Sequence, residues 1–214
     1  DDGMATEVHP VTEERWSDLE ALFGPSGVSG CWCMWFRLTS SEFQKQSGEG
    51  TRRGLRSLVT GGRVPGLLAY ADGRPAGWVS VAPREEFGRI ERSPNLRRID
   101  DTPVWSIVCF FIGKPHRGTG LARTLLKAAE RYARDQGARM LEAYPWDPAA
   151  GSIRPADAYI GLLPLFEEAG FHEVARRSRG RPVVRKKLRA ARGRQAGKGP
   201  RGPGSYSASS KRPS

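Results

Sequence analysis

The stretch VWSIVCFFIGKPHRGTGLARTLL (Val104–Leu126) decides the fold that the sequence predicts. Its first part is apolar and rich in β-branched and aromatic residues, which is typical of a strand covered on both faces. A glycine-rich turn follows from Gly113 to Gly120, and a helix with one apolar face is predicted from Leu121 to Gln136. The first turn of a helix has unpaired amides and partial positive charge, so this turn is a candidate anion site.

The glycines alone do not identify a ligand, because a strand–glycine–helix turn is also an ordinary tight connection. The segment contains neither the G-x-x-x-x-G-K-[ST] pattern of a P-loop nor the full G-x-G-x-x-G of a dinucleotide fold. Lys114, Arg117 and Arg123 place positive charge around the turn. Their alternative role is that of an ordinary solvated, charged face.

On both sides of this stretch the pattern alternates between helices and strands. Asp72-Gly73 between two apolar runs predicts a β-hairpin, and Pro164 predicts a kink inside a C-terminal helix. The predicted helices are 12–23, 51–59, 121–136 and 156–169, and the predicted strands are 65–71, 76–83, 104–113, 138–145, 171–178 and 181–188. This order predicts a mixed α/β fold with a single sheet flanked by helices.

The positive charge is concentrated at one end of the chain. The 214 residues carry a formal net charge of +12, yet residues 176–214 hold 14 Lys and Arg and no Asp or Glu. Residues from 189 onward are dominated by Gly, Ser, Arg and Pro without periodicity, which is typical of disorder. We therefore expect one folded domain over residues 4–188 and a disordered basic tail over 189–214.

Composition excludes several classes of protein. Hydrophobic residues make up 38% of the chain and the mean hydropathy is −0.54, and no apolar run is long enough to span a membrane. The N-terminus has no signal-peptide pattern, so a cytoplasmic location is expected. Cys31, Cys33 and Cys109 are expected to be free thiols. With scattered histidines, a lone C-x-C does not predict a metal site.

Two motifs carry a resemblance to a known superfamily. RGTGLA (Arg117–Ala122) resembles the [QR]-x-x-G-x-[GA] signature of the GCN5-related N-acetyltransferases (GNAT), and LFEEAGF (Leu165–Phe171) resembles their L-Y-E-x-x-G-F helix end. The resemblance covers about residues 65–188. It implies a central, mostly antiparallel, twisted sheet whose strands splay apart at the site of acetyl-CoA.

The resemblance also implies which residues bind the cosubstrate. The backbone amides of the signature would hold the pyrophosphate of acetyl-CoA, with glycines where a Cβ would block its approach. The main chain of Phe110 and Ile112 would pair with the pantetheine arm. Lys114 and Arg123 are our own additions, as neighbours of the adenosine phosphates. The signature residues are Arg117, Gly118, Thr119, Gly120, Leu121 and Ala122.

The chain departs from the family at the catalytic acid. Where relatives often have a Tyr that protonates the departing thiolate, this chain has Phe166. Tyr159, predicted two turns earlier on the same helix face, is a candidate for a cofactor contact or for the acid, and Tyr144 is a second candidate. Candidates for the base are Glu142, which shares a strand side with Tyr144, and the carboxylates of Glu85, Glu86, Asp100, Asp101 and Asp147. For each of these residues a purely structural or surface role is the alternative.

The aromatic segment CWCMWF (Cys31–Phe36) has two interpretations. Its rings either pack below the sheet, or Trp32, Trp35 and Phe36 line the acceptor site, since N-terminal helices and loops form that wall in the resembling family. Such a wall would suit an apolar or aromatic amine, or a peptide.

The leading hypothesis is an acetyl-CoA-dependent N-acetyltransferase that acts on a primary amine of a small molecule or peptide by direct attack. Only 7 of the 35 basic residues are Lys, which suggests a GC-rich bacterial genome, where antibiotic resistance and natural-product tailoring both fit such an enzyme. The alternatives are a nucleic-acid-associated protein acting through its tail and a non-catalytic GNAT that only binds CoA. The sequence leaves a homodimer open.

Overall fold

Seven strands form one sheet in the computed structural model of the protein, which describes residues 6–152 and 159–189. The strands are β1 (Thr6–Pro10), β2 (Gly66–Ala71), β3 (Arg74–Pro83), β4 (Trp105–Ile112), β5 (Met140–Ala143), β6 (His172–Ala175) and β7 (Val183–Lys187). The helices are α1 (Trp16–Phe23), α2 (Gly27–Gly30), α3 (Ser40–Gln46), α4 (Glu49–Thr60), α5 (Gly88–Glu91), α6 (Leu121–Asp135) and α7 (Leu163–Glu168).

The strand order is β1-β2-β3-β4-β5-β7-β6, and every neighbouring pair is antiparallel except β4 and β5. The predicted class, a mixed α/β fold with one mostly antiparallel sheet and helices on its faces, is confirmed. The sequence analysis missed β1, which pairs with β2 at the edge of the sheet. The predicted basic tail falls almost wholly outside the described residues.

The hairpin between β2 and β3 has the turn that its sequence predicts. Asp72 and Gly73 both have positive φ angles, 50° and 75°, and Ala71 pairs with Arg74. Two central residues with positive φ form the type I′ turn, whose twist matches that of the strands on either side.

The sheet opens between β4 and β5. Only three residue pairs join the two strands, and the last is Ile107 with Ala143. Strand β4 continues to Ile112 and pairs there with β3 alone. The register shifts along this pair, because Val81 lies opposite Ile107 while Ser80 lies opposite Cys109, which leaves Val108 as an extra residue. Such a β-bulge bends its strand, and it occurs here where β4 leaves β5.

Two layers of helices cover the sheet. The apolar face of α6, with Leu121, Leu125 and Ala129, packs with α7 against one face of the strands. Helices α1 and α4 pack on the other face around the fully buried Trp78. The centre of the sheet is therefore buried on both sides, as the apolar sequence of β4 predicted.

The C-terminal helix is shorter than predicted. A single helix over 156–169 with a kink at Pro164 was wrong, because Gly161 has a φ of 80° and Leu162 is extended. Helix α7 begins only at Leu163, so Pro164 lies in its first turn. There the missing N–H of proline costs nothing, since the first amides of a helix have no partner within it. Residues 153–158 lie outside the described residues.

Among the helices within residues 6–152 and 159–189, none has the length and apolar character needed to cross a bilayer.

Candidate functional site

The turn that follows β4 is shaped by two glycines. Gly118 has a φ of 79°, and Gly120, the residue before α6, has a φ of 83°. A side chain is disfavoured in this left-handed region. A Cβ built at either position meets no protein atom within 4 Å. The glycines therefore permit the turn and leave its outer surface open.

Five successive amides at this turn have no acceptor in the described part of the chain. They belong to residues 118–122, and the next amide, that of Arg123, returns to the carbonyl oxygen of Gly120 at 3.0 Å. The hydroxyl of Thr119 donates to the carbonyl of His116 at 2.8 Å and so fixes the turn. Free amides together with the positive end of the α6 dipole favour a bound anion.

The three basic side chains predicted around the turn differ in their surroundings. Arg117 donates from Nε to the carbonyl oxygen of Ile112 at 3.2 Å. Arg123 forms an ion pair with Glu168, so its charge is already compensated. Lys114 is exposed and forms no ion pair with the residues that the structure describes. Lys114 and Arg117 are therefore the cations available to an anion here.

The gap beside β4 exposes a strand edge that pairs with no other strand, although the carbonyl oxygen of Ile112 accepts from Arg117. The amide of Gly113 donates to the carbonyl of Ala76 on β3 at 2.9 Å. Hydrogen-bonded and non-hydrogen-bonded pairs alternate along antiparallel strands. The main-chain groups of Phe110 and Ile112 therefore point away from β3, toward the gap. Since the pairing with β5 has ended at Ile107, an extended ligand could pair there as an added strand.

The position of the expected catalytic acid is filled by a core ring. Phe166 is fully buried, with its ring centroid 6.1 Å from that of Phe110 and 5.3 Å from that of Phe171. Gly161 packs against it, and a Cβ there would lie 2.9 Å from the Phe166 ring. This position supplies no proton donor.

Tyr159 lies beside β4, but on a segment that precedes α7 and not on the helix itself. It precedes Gly161 and does not belong to α7, so the expectation that it shares a helix face with Phe166 was wrong. Its ring centroid is 6.2 Å from that of Phe111 on β4. The side chain is half-buried, and its hydroxyl forms no hydrogen bond with the described residues. Tyr159 thus lies against the part of β4 that extends beyond its pairing with β5.

Glu142 and Tyr144 form a buried network with three other side chains. Tyr144 donates to Glu142 Oε1 at 2.6 Å, accepts from Arg84 at 2.8 Å and lies 2.9 Å from the hydroxyl of Ser106. Arg84 also pairs with Glu142, whose Oε2 accepts from Arg185 Nε at 2.7 Å. Burial, and then the Glu142 carboxylate, raise the pKa of Tyr144 well above its ordinary value.

This network corrects the expectation that Glu142 faces an open cleft. Glu142 is 0% exposed and Tyr144 is 1% exposed. A carboxylate held between two guanidinium groups inside the protein has no route to an incoming amine. Glu142 joins β5 to Arg84, which follows β3, and to Arg185 on β7, while Tyr144 joins Arg84 to Ser106 on β4.

The other carboxylates considered as bases lie mostly in ion pairs with arginine. Arg185 holds the pKa of Asp100 down at about 2. Asp101 is exposed and has no ion pair within the described ranges. The pairs are Glu85–Arg98 at 2.7 Å, Glu86–Arg37 at 2.5 Å, Asp100–Arg185 at 2.7 Å and Asp147–Arg176 at 2.7 Å.

The aromatic segment divides between the core and an open cavity. Trp32 is 4% exposed and stacks on Trp16 at 6.1 Å, so it belongs to the core. Trp35 is 41% exposed and Phe36 is buried, and both line a cavity of about 520 Å³. Phe36 also packs in one apolar cluster with Val108, the bulge residue of β4. Two of the three predicted wall residues therefore meet at one cavity beside β4.

The cavity contains basic residues that sequence analysis missed. Arg89 and Arg92 line it together with Thr39 and Ser40. They fall in the charged, irregular stretch between β3 and β4, where the sequence carries no periodic signal. Arg84, buried from the same stretch, was missed for the same reason.

Cysteines of the aromatic segment, Cys31 and Cys33, lie close to Cys109 on β4. All three are free, and the sulfurs of Cys33 and Cys109 are 3.4 Å apart. Burial raises the pKa of Cys31 to about 11 and raises that of Cys33 as well. Both thiols are therefore protonated at neutral pH and are poor nucleophiles.

Comparison with known proteins places these features in a family. The sequence model of the acetyltransferase (GNAT) family matches residues 32–154. No curated protein matches the chain in sequence. Among solved structures, a GNAT-family acetyltransferase from Streptococcus pneumoniae has 16% identity and a TM-score of 0.50, covering 86% of this chain and 99% of its own.

Two further structures have a similar fold. A GNAT-family acetyltransferase from Streptococcus agalactiae has 13% identity and a TM-score of 0.52, covering 87% of this chain and 96% of its own. An N-acetyltransferase from Staphylococcus aureus has 11% identity and a TM-score of 0.52, covering 86% and 99%. At these identities the likeness concerns the fold alone.

Proposed function

The chain belongs to the acetyltransferase (GNAT) family, with acetyl-CoA as cosubstrate, and we propose that it acetylates a primary amine of a small molecule or peptide. The observation that carries this proposal is the row of five unpaired amides at residues 118–122, directly after a strand with an open edge. A diphosphate at the amides and an extended arm along the edge would satisfy both sets of groups.

In this proposal the turn from Arg117 to Ala122 holds the pyrophosphate, and Lys114 lies near the adenosine phosphates. The main-chain groups of Phe110 and Ile112 pair with the amides of the pantetheine arm. The fit is supported by the open space beyond Gly118 and Gly120, where no protein atom competes with a phosphate.

The reaction that we propose is a direct transfer with both substrates bound. The neutral amine attacks the thioester carbon, a C–N bond forms, and the C–S bond breaks with its electron pair leaving on sulfur. A main-chain N–H of β4 that faces the gap polarises the thioester carbonyl. The amine loses one proton and the thiolate gains one, so the products are an amide and free CoA.

The two proton transfers are assigned to different groups. We assign the donor to Tyr159, because its hydroxyl is free among the described residues and its ring lies against Phe111 of β4. Water accepts the proton that the attacking nitrogen releases as the amide forms, since the nominated carboxylates are buried, paired with arginine or, for Asp101, exposed.

Acetyl transfer is tested with a panel of amines. Release of free thiol is followed together with the mass of each acceptor, which must rise by one acetyl group. Binding of acetyl-CoA is measured separately by calorimetry. Tight binding with no thiol release from any amine would support a non-catalytic CoA-binding protein, which Phe166 at the usual acid position favours. No binding at millimolar acetyl-CoA would overturn both assignments.

A further inference from the structure

The cavity beside the aromatic segment has a positive and aromatic lining. The guanidinium carbon of Arg89 lies 3.8 Å from the centroid of the Trp35 ring. Arg89 also donates from Nε to the carbonyl oxygen of Trp35 at 2.5 Å and from Nη1 to the hydroxyl of Ser40 at 2.9 Å. These contacts hold the guanidinium plane in place, and Arg92 lies on the same wall.

No carboxylate of the described residues neutralises this pair of arginines. Arg89 and Arg92 take part in no ion pair there, whereas Arg37, Arg84, Arg98 and Arg185 all do. The Nη2 atom of Arg89 is buried and has no hydrogen-bond partner in the described part of the protein. The two guanidinium groups therefore have no counter-charge among these residues, and an anion bound in the cavity would supply one.

The local field is positive as well. Burial, and then the charge of Arg92, lower the pKa of Arg89. The carboxylate of Glu42, whose pKa is lowered first by its hydrogen bond with Thr39 and more weakly by Arg92, already accepts from the Thr39 amide at 2.7 Å. That capping interaction belongs to α3 and leaves Arg92 without a direct partner.

The wall of the cavity shares an apolar cluster with the strand where acetyl transfer is proposed. Its inner wall includes Phe36, Ile90 and Leu96, which pack in the same apolar cluster as Val108. Val108 is the bulge residue of β4 at which the sheet opens. The apolar side chains of the cavity wall therefore pack in one cluster with the strand that we propose to hold the thioester.

We propose that the acceptor amine also carries an anionic oxygen group, a carboxylate or a phosphate, which binds Arg89 and Arg92 while a flat apolar part lies against Trp35. Guanidinium groups recognise such anions through paired N–H donors. This inference rests on the proposed function and adds the chemical class of its acceptor.

Matched probes test the inference on the full-length protein. Tryptophan is compared with tryptophanamide for a carboxylate, and O-phosphoethanolamine with ethanolamine for a phosphate. We expect the anionic member of at least one pair to have a kcat/KM about tenfold or more above its neutral partner. The preference falls as salt rises, since the charges are partly exposed.

Arg92→Gln is the informative variant, because the Arg92 side chain is exposed and forms no hydrogen bond or ion pair with the residues that the structure describes. We expect it to raise KM for the preferred anionic probe about five- to tenfold and to change KM for the neutral partner much less, so that the preference between the two falls. Arg97→Gln is the control, since it removes the same charge from the same segment and does not line the cavity. Equal effects of both variants, or equal use of acid and amide by the wild type, would overturn the inference.

Binding separates this inference from the proposed function. The CoA-loaded protein is titrated with each probe by calorimetry, which requires no turnover. If the anionic probe binds more tightly than its neutral partner and no acetyl transfer occurs, the anion site stands and the catalytic assignment fails. If amines are acetylated and neither pair shows a preference in binding or rate, the anion site fails and the acetyltransferase assignment stands.

Discussion

Gly120 occupies the position where the turn after β4 becomes helix α6. Its φ of 83° is needed for the turn, and the space beyond its α-carbon is open. In the proposed complex this space faces the diphosphate. A change at Gly120 therefore tests the binding site directly.

Gly120→Glu should weaken acetyl-CoA binding by about 100-fold or more, because a negative side chain would lie beside the phosphates. Binding is measured by calorimetry and folding by circular dichroism. Gly137→Glu is a matched control at the other end of α6, with a φ of 91° and equally open surroundings. Both variants carry a backbone strain of about 1–2 kcal/mol. Unchanged affinity in Gly120→Glu would show that the phosphates bind elsewhere.

Tyr159→Phe should lower kcat by about 100-fold, the size typical of a lost general acid, while KM for acetyl-CoA stays the same. The variant removes one hydroxyl and keeps the ring that contacts Phe111. Tyr132→Phe serves as control, since Tyr132 is also half-buried but packs on Trp105, away from Phe111. If the steady-state rates of Tyr159→Phe match those of the wild type, Tyr159 is not the proton donor and water protonates the thiolate.

The sequence could not distinguish Trp32, which is buried, from Trp35, which is exposed. Both belong to one aromatic segment, and the sequence predicted a site wall or core packing for them together. The backbone separates them, because Val28, Ser29, Trp32 and Cys33 all have positive φ angles. A chain in the left-handed region follows neither the helical nor the strand period. Periodicity could not show which ring faces inward.

At the level of elements, a charged network inside the protein joins three strands. Arg84 follows β3, Glu142 lies on β5 and Arg185 on β7, and Arg84 also donates to the carbonyl oxygen of Leu96 at 2.8 Å. Leu96 forms part of the cavity wall. The network therefore fixes one side of the proposed acceptor site without contacting a substrate.

Glu142→Gln should destabilise the protein by about 3–5 kcal/mol, because two buried guanidinium groups lose their common counter-charge. Denaturant unfolding measures the change. In Glu85→Gln, which breaks the exposed pair with Arg98, the free energy of unfolding should stay within about 1 kcal/mol of the wild type. If Glu142→Gln is as mild as this control and lowers kcat instead, Glu142 takes part in the chemistry.

The pairing of Asp100 with Arg185 predicts a dependence on pH. Arg185 lowers the pKa of Asp100 from its ordinary 3.8 to about 2. The ionised carboxylate therefore stabilises the fold above about pH 4, and this contribution is lost as the pH falls toward 2. The melting temperature of Asp100→Asn should lie below that of the wild type at pH 6, and the two should converge near pH 2. A constant difference would mean that the pair does not titrate in this range.

The elements that sequence analysis predicted well are those with local signals. The β2–β3 hairpin has Asp-Gly at its turn, β4 has an unbroken apolar run, and α6 has an amphipathic pattern between two glycines. Strand β1 was missed because its five residues include only one large aliphatic side chain and depend on pairing with β2. Helix α7 was placed too early, because the positive φ of Gly161 and the extended Leu162 interrupt the pattern before Pro164.

For the candidate site, the glycine turn after β4 was predictable from the sequence and the cavity lined by Trp35 was not. The conformation of the glycine turn depends on consecutive residues, so the sequence alone indicates it. The cavity instead brings Trp35 together with Arg89 and Arg92 from a stretch more than fifty residues later. Such a meeting depends on tertiary packing, for which one sequence gives no local signal.

On the scale of the whole molecule, we expect the basic segment after Leu188 to be separable from the chemistry. The last strand ends at Lys187, and the amide of Leu188 donates to the carbonyl of Arg139 at 2.9 Å, which closes the described core. A chain truncated after Leu188 should therefore keep its kcat and KM. The truncation removes seven basic residues and no acidic one.

If the tail binds nucleic acid, the same truncation should abolish a salt-sensitive association with RNA or DNA, measured by fluorescence anisotropy at two salt concentrations. Full activity together with unchanged nucleic-acid binding would place the binding surface on the domain. Loss of acetyl transfer on truncation would contradict the separation of tail and catalysis.

The opening between β4 and β5 would make the stability of the folded protein depend on the concentration of acetyl-CoA. In the proposed complex the cosubstrate forms hydrogen bonds with the edge of β4 that faces the gap, where a neighbouring strand would otherwise pair. A ligand that binds only the folded state adds to its stability as its concentration rises above the dissociation constant. The lifetime of this enzyme would then follow the acetyl-CoA supply, so that a starved cell holds less of the catalyst that consumes the scarce metabolite.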